Sequence, residues 1–270
     1  MSEDNIIKET PSPRTRESLA SDLRRLGVVP GMTLLMHSSL RSLGWVSGGS
    51  VAMVLALMDV VTAEGTIVVP THTSGNSDPA KWVDPPVPQV WWPIIYETMP
   101  AFDPQTTPTY YMGKIVETFR TWHEVLRSSH PTDSFAAWGR HAEYVTARHS
   151  LEYGLGEGSP LARIYDLDGW VLLLGVGYDR NTSFHLAEYR VPAAEQTTLG
   201  SPIMKNGKRV WENYKDIELD SDIFPQIGAD FEQATELVKI GKVGSAETRL
   251  FPLRSGVDFA THWLTRKRTL

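Results

Sequence analysis

Hydrophobic positions change their spacing repeatedly along the chain, and the changes mark an alternation of helices and strands. Residues 15–26 (TRESLASDLRRL) carry apolar side chains at helical intervals and stop at Gly27. Pro30-Gly31 then turns the chain into a short apolar run, Met32 to Met36, of strand type. The segment His37 to Ser50 is rich in small and hydroxyl residues. It leads into a helical pattern over Val51 to Ala63, stopped by Gly65, and then into a strand over Thr66 to Pro70. Strand, helix, strand in that order predicts a parallel sheet covered by helices, an α/β fold.

Residues 71–112 break this rhythm. They hold eight prolines and three tryptophans, too aromatic for disorder and too rich in proline for a simple element. An ordered excursion over one end of the sheet is expected, and long loops of this kind in compact domains form functional walls or lids. Beyond it, a helix is expected over Gly113 to Trp122, a strand-like stretch around Ser134 to Ala137, and helices over about 140–148 and 159–166, the last with Ser159 and Pro160 as N-cap and first residue. Trp170 to Gly177 (WVLLLGVG) is a continuous apolar run of buried-strand type, followed by a helix for which Thr182 or Ser183 is the expected N-cap.

The last third reads as antiparallel. Asn206-Gly207 is a strong hairpin signal between two apolar runs. Short strands near 235–242 and 246–252 precede a final helix over about 255–266. The expected organisation is a flexible polar lead over 1–14 and a single domain over 15–270, with 71–112 as a substrate-side excursion.

Composition narrows the function. The 270 residues are 41% hydrophobic and 21% charged, ordinary for a soluble protein, and bury a sizeable core. A formal net charge of −6 speaks against a nucleic-acid-binding chain and suits a cationic small molecule. Cysteine is absent, which excludes disulfides, zinc–thiolate sites and cysteine nucleophiles. No signal-peptide pattern or membrane-length apolar run is present, so a cytoplasmic protein with no membrane partner is expected. Monomer and homodimer remain equally open.

Three constellations carry candidate chemistry. In the run Asn181 to Glu188 (NTSFHLAE), His185 and Glu188 lie at i and i+3 on one helical face, where the carboxylate raises the basicity of the imidazole and fixes its tautomer. The same spacing also describes a helix-surface ion pair. The loop from His37 to Ser50 offers hydroxyls, successive backbone N–H groups and a helix start opened by Gly48-Gly49, suited to a phosphate. It lacks the familiar phosphate-cradle motifs, and as an isolated glycine-serine turn it also reads as a plain βα loop. The third is Arg127 to Ser134 (RSSHPTDS), a polar run that fits a cofactor chain or a turn before a strand. No H-E-x-x-H or G-x-S-x-G occurs, so neither a zinc site nor a serine hydrolase is supported.

Five ordered blocks resemble the aminoglycoside 3-N-acetyltransferase family. They are HSSLRSLGWVSGG (37–49), SDPAKW (77–82) with the aromatic excursion after it, RSSHPTDSFAAWG (127–139), LGEGSPLARIYDLDG (155–169) and LLLGVGYDRNTSFHLAE (172–188), spanning nearly the whole chain. The resemblance implies a three-layer α/β/α fold with a central mixed sheet, distinct from the larger acetyltransferase superfamily. It implies acetyl transfer from acetyl-CoA to the 3-amino group of a 2-deoxystreptamine antibiotic, hence resistance, with no metal. His185 is the expected base and Glu188 its orienter, acting by direct transfer. The cofactor would lie along His37, Ser38, Ser39, Leu40, Arg41, Val46, Gly48 and Gly49, with Ser129, His130 and Ser134 along the pantetheine or phosphate path. Backbone N–H groups near Ser38 and Ser39 would polarise the thioester carbonyl. Asp78, Asp84, Glu157 and Asp179 are expected to meet the cationic substrate. An acetyltransferase for another amine, a CoA thioester hydrolase and a non-enzymatic sensor are the competing readings.

Overall fold

The computed structural model describes residues 3–192 and 194–268. In chain order the elements are α1 (Glu3–Glu9), α2 (Arg16–Leu26), β1 (Thr33–Ser38), α3 (Gly49–Val61), β2 (Thr66–Pro70), α4 (Trp92–Thr98), α5 (Lys114–Arg120), β3 (Leu126–Arg127), β4 (Phe135–Gly139), α6 (Ala142–Thr146), α7 (Pro160–Asp166), β5 (Trp170–Leu174), α8 (Ser183–Arg190), β6 (Gln196–Lys205), β7 (Lys208–Ile217), α9 (Phe224–Ala234), β8 (Lys239–Val243), β9 (Ala246–Pro252) and α10 (Leu253–Arg268). Seven strands form one mixed sheet in the order β3-β4-β2-β1-β5-β9-β8, and β6 and β7 form a separate two-stranded ribbon.

Strands β2, β1 and β5 run parallel at the centre, and β4 and β9 flank them antiparallel. The central strands are apolar through their middles because both faces are covered there. Alternation divides their side chains between two cores. Leu34, Met36, Ile67, Val69, Leu172 and Leu174 pack with α2, α3 and α5 on one face. Leu35, Val68, Val171 and Leu173 pack with α6, α7, α8, α9 and α10 on the other. The result is the three-layer α/β/α architecture, with a mixed sheet in the middle.

Local signals explain most of the elements. Thr15 and Ser18 form a reciprocal capping box at the start of α2, and Gly27 closes it at φ 108°, a left-handed conformation that favours glycine. Ser159 caps α7 through a hydrogen bond from the Leu161 N–H, with Pro160 at the first position. Asn206 and Gly207, at φ 53° and 74°, make the tight turn of the ribbon, whose strands are ten residues long each.

Thr10 and Arg14 bond to the loop after β1. Beyond α1, the Trp45 N–H donates to Thr10 Oγ1 at 2.9 Å, the Arg14 N–H to the Trp45 carbonyl at 2.9 Å, and the Ser47 N–H to the Arg14 carbonyl at 2.8 Å. The excursion over 71–112 contains α4 and two short 3-10 turns, Pro79–Lys81 and Gln89–Trp91. The Arg127 guanidinium holds it to the sheet edge, donating to the carbonyls of Thr71, Pro104 and Thr107. No helix among the described residues is long and apolar enough to cross a membrane.

Candidate active site

The three parallel strands end on one edge of the sheet, at Ser38, Pro70 and Leu174. Phe135 at the start of β4 pairs with Pro70, so the turn before β4 reaches the same edge. Ligands of open α/β sheets bind at such carboxyl ends.

Helix α8 begins just beyond this edge. Its N-terminus is capped by Asn181, whose Oδ1 accepts the Ser183 N–H at 3.3 Å and the Ser183 hydroxyl at 2.7 Å. Thr182 and Ser183, the caps expected from sequence, do not do this: Thr182 has helical backbone angles and no side-chain cap bond, and Ser183 is the group being capped. One helical turn then places His185 beside Glu188, with Nδ1 2.6 Å from Oε2. The Glu188 side chain is 2% exposed and that of His185 16%, so the carboxylate lies inside while the imidazole reaches solvent. That burial separates the pair from a helix-surface ion pair. The second carboxylate oxygen, Oε1, accepts the Asp220 N–H at 2.9 Å. Phe224 packs edge-on against the imidazole, with ring centroids 4.8 Å apart. A carboxylate on Nδ1 fixes the proton there and leaves Nε2 to accept another.

Two further histidines sit at the strand ends. His37 shares the strand parity of Leu35 and so belongs to the face covered by α8, whereas His72 follows β2. Burial pushes His37 down to about 3 and His72 down to about 4, with neighbouring histidines adding to the effect, so both are neutral at pH 7. Their Nε2 atoms are buried without hydrogen-bond partners, as are Ser38 Oγ and Asn181 Nδ2. Unpaired buried polar atoms are costly. Their gathering at one sheet edge fits a site whose hydrogen bonds are completed by a ligand. Among the described residues, no group of three or more His, Asp or Glu side chains is arranged to hold a metal ion.

The loop after β1 has the character of a phosphate receptor. Gly48 and Gly49 lie at φ 85° and 56°, and α3 starts there. A Cβ on Gly49 would meet nothing within 4 Å, so the helix N-terminus faces open space. Arg41, in the same loop, is exposed. Leu40 packs against the core and Val46 is buried in it, so these two shape the loop from behind. One expectation is corrected here. The Ser39 N–H donates to the Leu174 carbonyl at 2.9 Å, extending the strand pairing, and is therefore not available to polarise a thioester carbonyl. The Ser38 hydroxyl beside it has no partner within the protein.

The run before β4 is largely consumed by the protein itself. His130 is buried, accepting the N–H groups of Asp133 at 2.9 Å and Thr132 at 3.2 Å on Nδ1 and donating from Nε2 to the Leu151 carbonyl at 3.1 Å. Ser134 is fully buried, donating to the Thr71 carbonyl at 2.9 Å and accepting Arg127 Nε at 3.1 Å. Of the three residues expected to line a cofactor path here, Ser129 alone is exposed.

The family model of the aminoglycoside 3-N-acetyltransferases matches residues 35–265. The chain belongs to that family. It is 52% identical over 259 residues to the SPbeta prophage-derived aminoglycoside N(3')-acetyltransferase-like protein YokD of Bacillus subtilis (strain 168), covering 96% of this chain and 95% of that protein. The crystal structure of YokD superposes with a TM-score of 0.97 at 50% identity, over 98% of each chain. Structures of similar proteins hold ligands. AAC-IIIb, binary with CoASH, matches with a TM-score of 0.84 at 30% identity, over 95% of this chain and 98% of that one. AAC-VIa bound to sisomicin matches with a TM-score of 0.85 at 32% identity, over 95% and 99%.

In this aminoglycoside 3-N-acetyltransferase family member, most of the carboxylates expected on the acceptor side already have partners. Asp78 caps the Pro79–Lys81 turn and accepts the Tyr96 hydroxyl at 2.6 Å. Glu157 pairs with Arg190 at 2.7 Å and Asp179 with Arg180 at 3.0 Å. Asp84 is exposed on the excursion. Several residues here escape sequence reading: His72, Asp220, Phe224 and the half-buried Tyr189 that donates to buried Asp216 at 2.5 Å, while Asp133 lies within the polar run without a role of its own. A signal for His72 does exist, since β2, like β1, is an apolar run that ends close to a histidine.

Proposed function

We propose that the protein transfers the acetyl group of acetyl-CoA to the 3-amino group of a 2-deoxystreptamine aminoglycoside, with His185 as general base and Glu188 as the carboxylate that orients it. One observation carries the reading: a buried glutamate 2.6 Å from Nδ1 of a partly exposed histidine, at the ligand-binding edge of the sheet. Acetyl-CoA-dependent N-acetylation conferring antibiotic resistance is the activity of the family, and relatives of the same fold hold CoASH and sisomicin.

Bound acetyl-CoA supplies an acetyl group already activated as a thioester. The acceptor amine is mostly protonated near neutral pH and must be a free base to attack. His185 Nε2 takes a proton from the free-base nitrogen as the new N–C bond forms, the C–S bond breaks to expel CoA as its thiolate, and the imidazolium returns that proton to the sulfur so that CoA leaves as the thiol. Glu188 holds the imidazolium that results, and Asp220 holds Glu188. His37 and His72, being neutral, add no positive charge against a polycation. For the donor, the Gly48-Gly49 start of α3 and the exposed Arg41 suit phosphate groups, and the Ser38 hydroxyl suits the thioester carbonyl. Val46, Leu40, His130 and Ser134 support that surface from inside. For the acceptor, Asp84 is the freest of the four expected carboxylates. Asp133 joins it, 21% exposed and without a Lys or Arg partner, its Oδ2 accepting the Thr132 hydroxyl at 2.8 Å.

The test measures thiol release from acetyl-CoA with and without a panel of aminoglycosides, together with product masses. Release should require the amine, and a compound whose 3-amine is blocked should gain no acetyl group. Release independent of amine would overturn the transferase reading in favour of thioester hydrolysis.

A further inference from the structure

The carboxylate that orients His185 is itself held from outside α8. Glu188 Oε1 accepts a single main-chain donor, the Asp220 N–H at 2.9 Å, from the segment that leaves β7. Four residues earlier, at the end of β7, Asp216 accepts the Tyr189 hydroxyl at 2.5 Å. Glu188 and Tyr189 are neighbours on α8, so the end of the ribbon is fastened to that helix at two adjacent points beside the base. Burial and the Asp216 carboxylate push the Tyr189 phenol far up, so it stays a donor.

The other end of the ribbon is fastened to the excursion. Arg209 donates to the carbonyls of Met99 at 2.8 Å and Tyr96 at 2.5 Å, and the Phe102 N–H donates to the Pro202 carbonyl at 3.1 Å. Tyr96 packs edge-on against Trp211, ring centroids 4.8 Å apart. One rigid path therefore runs from the aromatic excursion through the ribbon to the catalytic carboxylate.

We propose that the main-chain N–H of Asp220 is a positioning group for the reaction, setting the Glu188 carboxylate against His185, and that the ribbon delivers it. The proposal rests on the reading of His185 and Glu188 as the base and its orienter. Fixing one carboxylate oxygen with an N–H prevents the side chain from rotating away from Nδ1, and the other oxygen then holds the tautomer that catalysis needs.

The decisive variant is Asp220→Pro, which deletes the N–H. It should lower kcat by about 10- to 100-fold, the size of one hydrogen bond to a charged group, with KM for both substrates nearly unchanged. Asp220→Ala retains the N–H and should recover most of that loss. In a Glu188→Gln background the same proline should cost less than about twofold, because its target is already altered. An equal loss in both backgrounds, or a loss expressed in KM, would overturn the proposal. Should the proline variant fail to fold, amide hydrogen exchange at residue 220 decides: protection in the natural protein that disappears in Glu188→Ala supports the link, and equal exchange in both refutes it. If Glu188→Gln alone leaves transfer intact, the underlying assignment of the base has failed instead.

Discussion

In the proposed reaction the proton leaves the acceptor nitrogen for His185, which Glu188 orients at 2.6 Å. His185→Ala should lower kcat by about 10² to 10⁴, the usual worth of a general base, while acetyl-CoA binding measured by calorimetry stays close to its original value. Glu188→Gln keeps the shape and removes the charge, and should also act on kcat. A change confined to KM for either variant would count against the assignment. These two residues were legible in the sequence because their spacing is local, three apart on one helix behind an apolar strand. Their supports were not: Asp220 reaches Glu188 from 32 residues away, and Asp216 reaches Tyr189 from 27. Spacing arguments see only within an element. Gly228 makes the same point for packing. A Cβ there would fall 2.1 Å from ring atoms of Tyr178, so Gly228→Ala should destabilise the fold by about 3 kcal/mol, read as a lower urea midpoint.

At the scale of elements, the proposal turns on α8, which is eight residues long and carries His185, the proposed base, near its N-terminus. Asn181→Ala removes its cap and should cost about 1 kcal/mol of stability, measured by urea unfolding. The strands and helices with strong punctuation were readable: β2 between Gly65 and the excursion, α2 between Thr15 and Gly27, and the hairpin at Asn206-Gly207. Four were not: α1 and α4 lie in segments read as a polar lead and an irregular excursion, and β3 and α9 lack a readable signal. Strand β3 has two residues, too few to show a period. Helix α9 buries Phe224, Ile227, Gly228 and Phe231 at helical spacing, but it starts at Ile223 in place of a polar cap and contains Pro225 and Gly228, which read as breakers. The hairpin was visible as a hairpin, whereas its separation from the main sheet and its grip on the excursion depend on Arg209, a long-range contact. Arg209→Ala should raise KM for the aminoglycoside by about tenfold and leave KM for acetyl-CoA unchanged in steady-state assays, because the wall loses its two main-chain bonds.

For the whole molecule, buried neutral histidines set the response to acid. Burial holds His37 at about 3, His72 at about 4 and His149 at about 3, all below the ordinary value near 6.5. The unfolded chain binds protons at these sites first as pH falls, so the stability they confer is complete above about pH 6.5 and is lost progressively toward pH 4. By pH 5 each contributes a loss of about 2 kcal/mol. Thermal unfolding should therefore show a steep fall in Tm between pH 7 and pH 5, and a flat profile would contradict the burial of neutral imidazoles. The excursion responds to a different pressure, that of sequence change. Arg127 and Arg209 grip main-chain carbonyls of Thr71, Tyr96, Met99, Pro104 and Thr107, and carbonyls are present whatever side chain the residue bears. Those five bonds thus do not read the side chains of the segment, although Tyr96 on Trp211 and Lys81 on Thr197 add side-chain contacts to them. On the proposed acceptor-side role of this segment, a lineage carrying this fold can vary its exposed side chains, Val83, Val90 and Ile94 among them, without touching these five bonds, whereas a change at Arg127 or Arg209 breaks them.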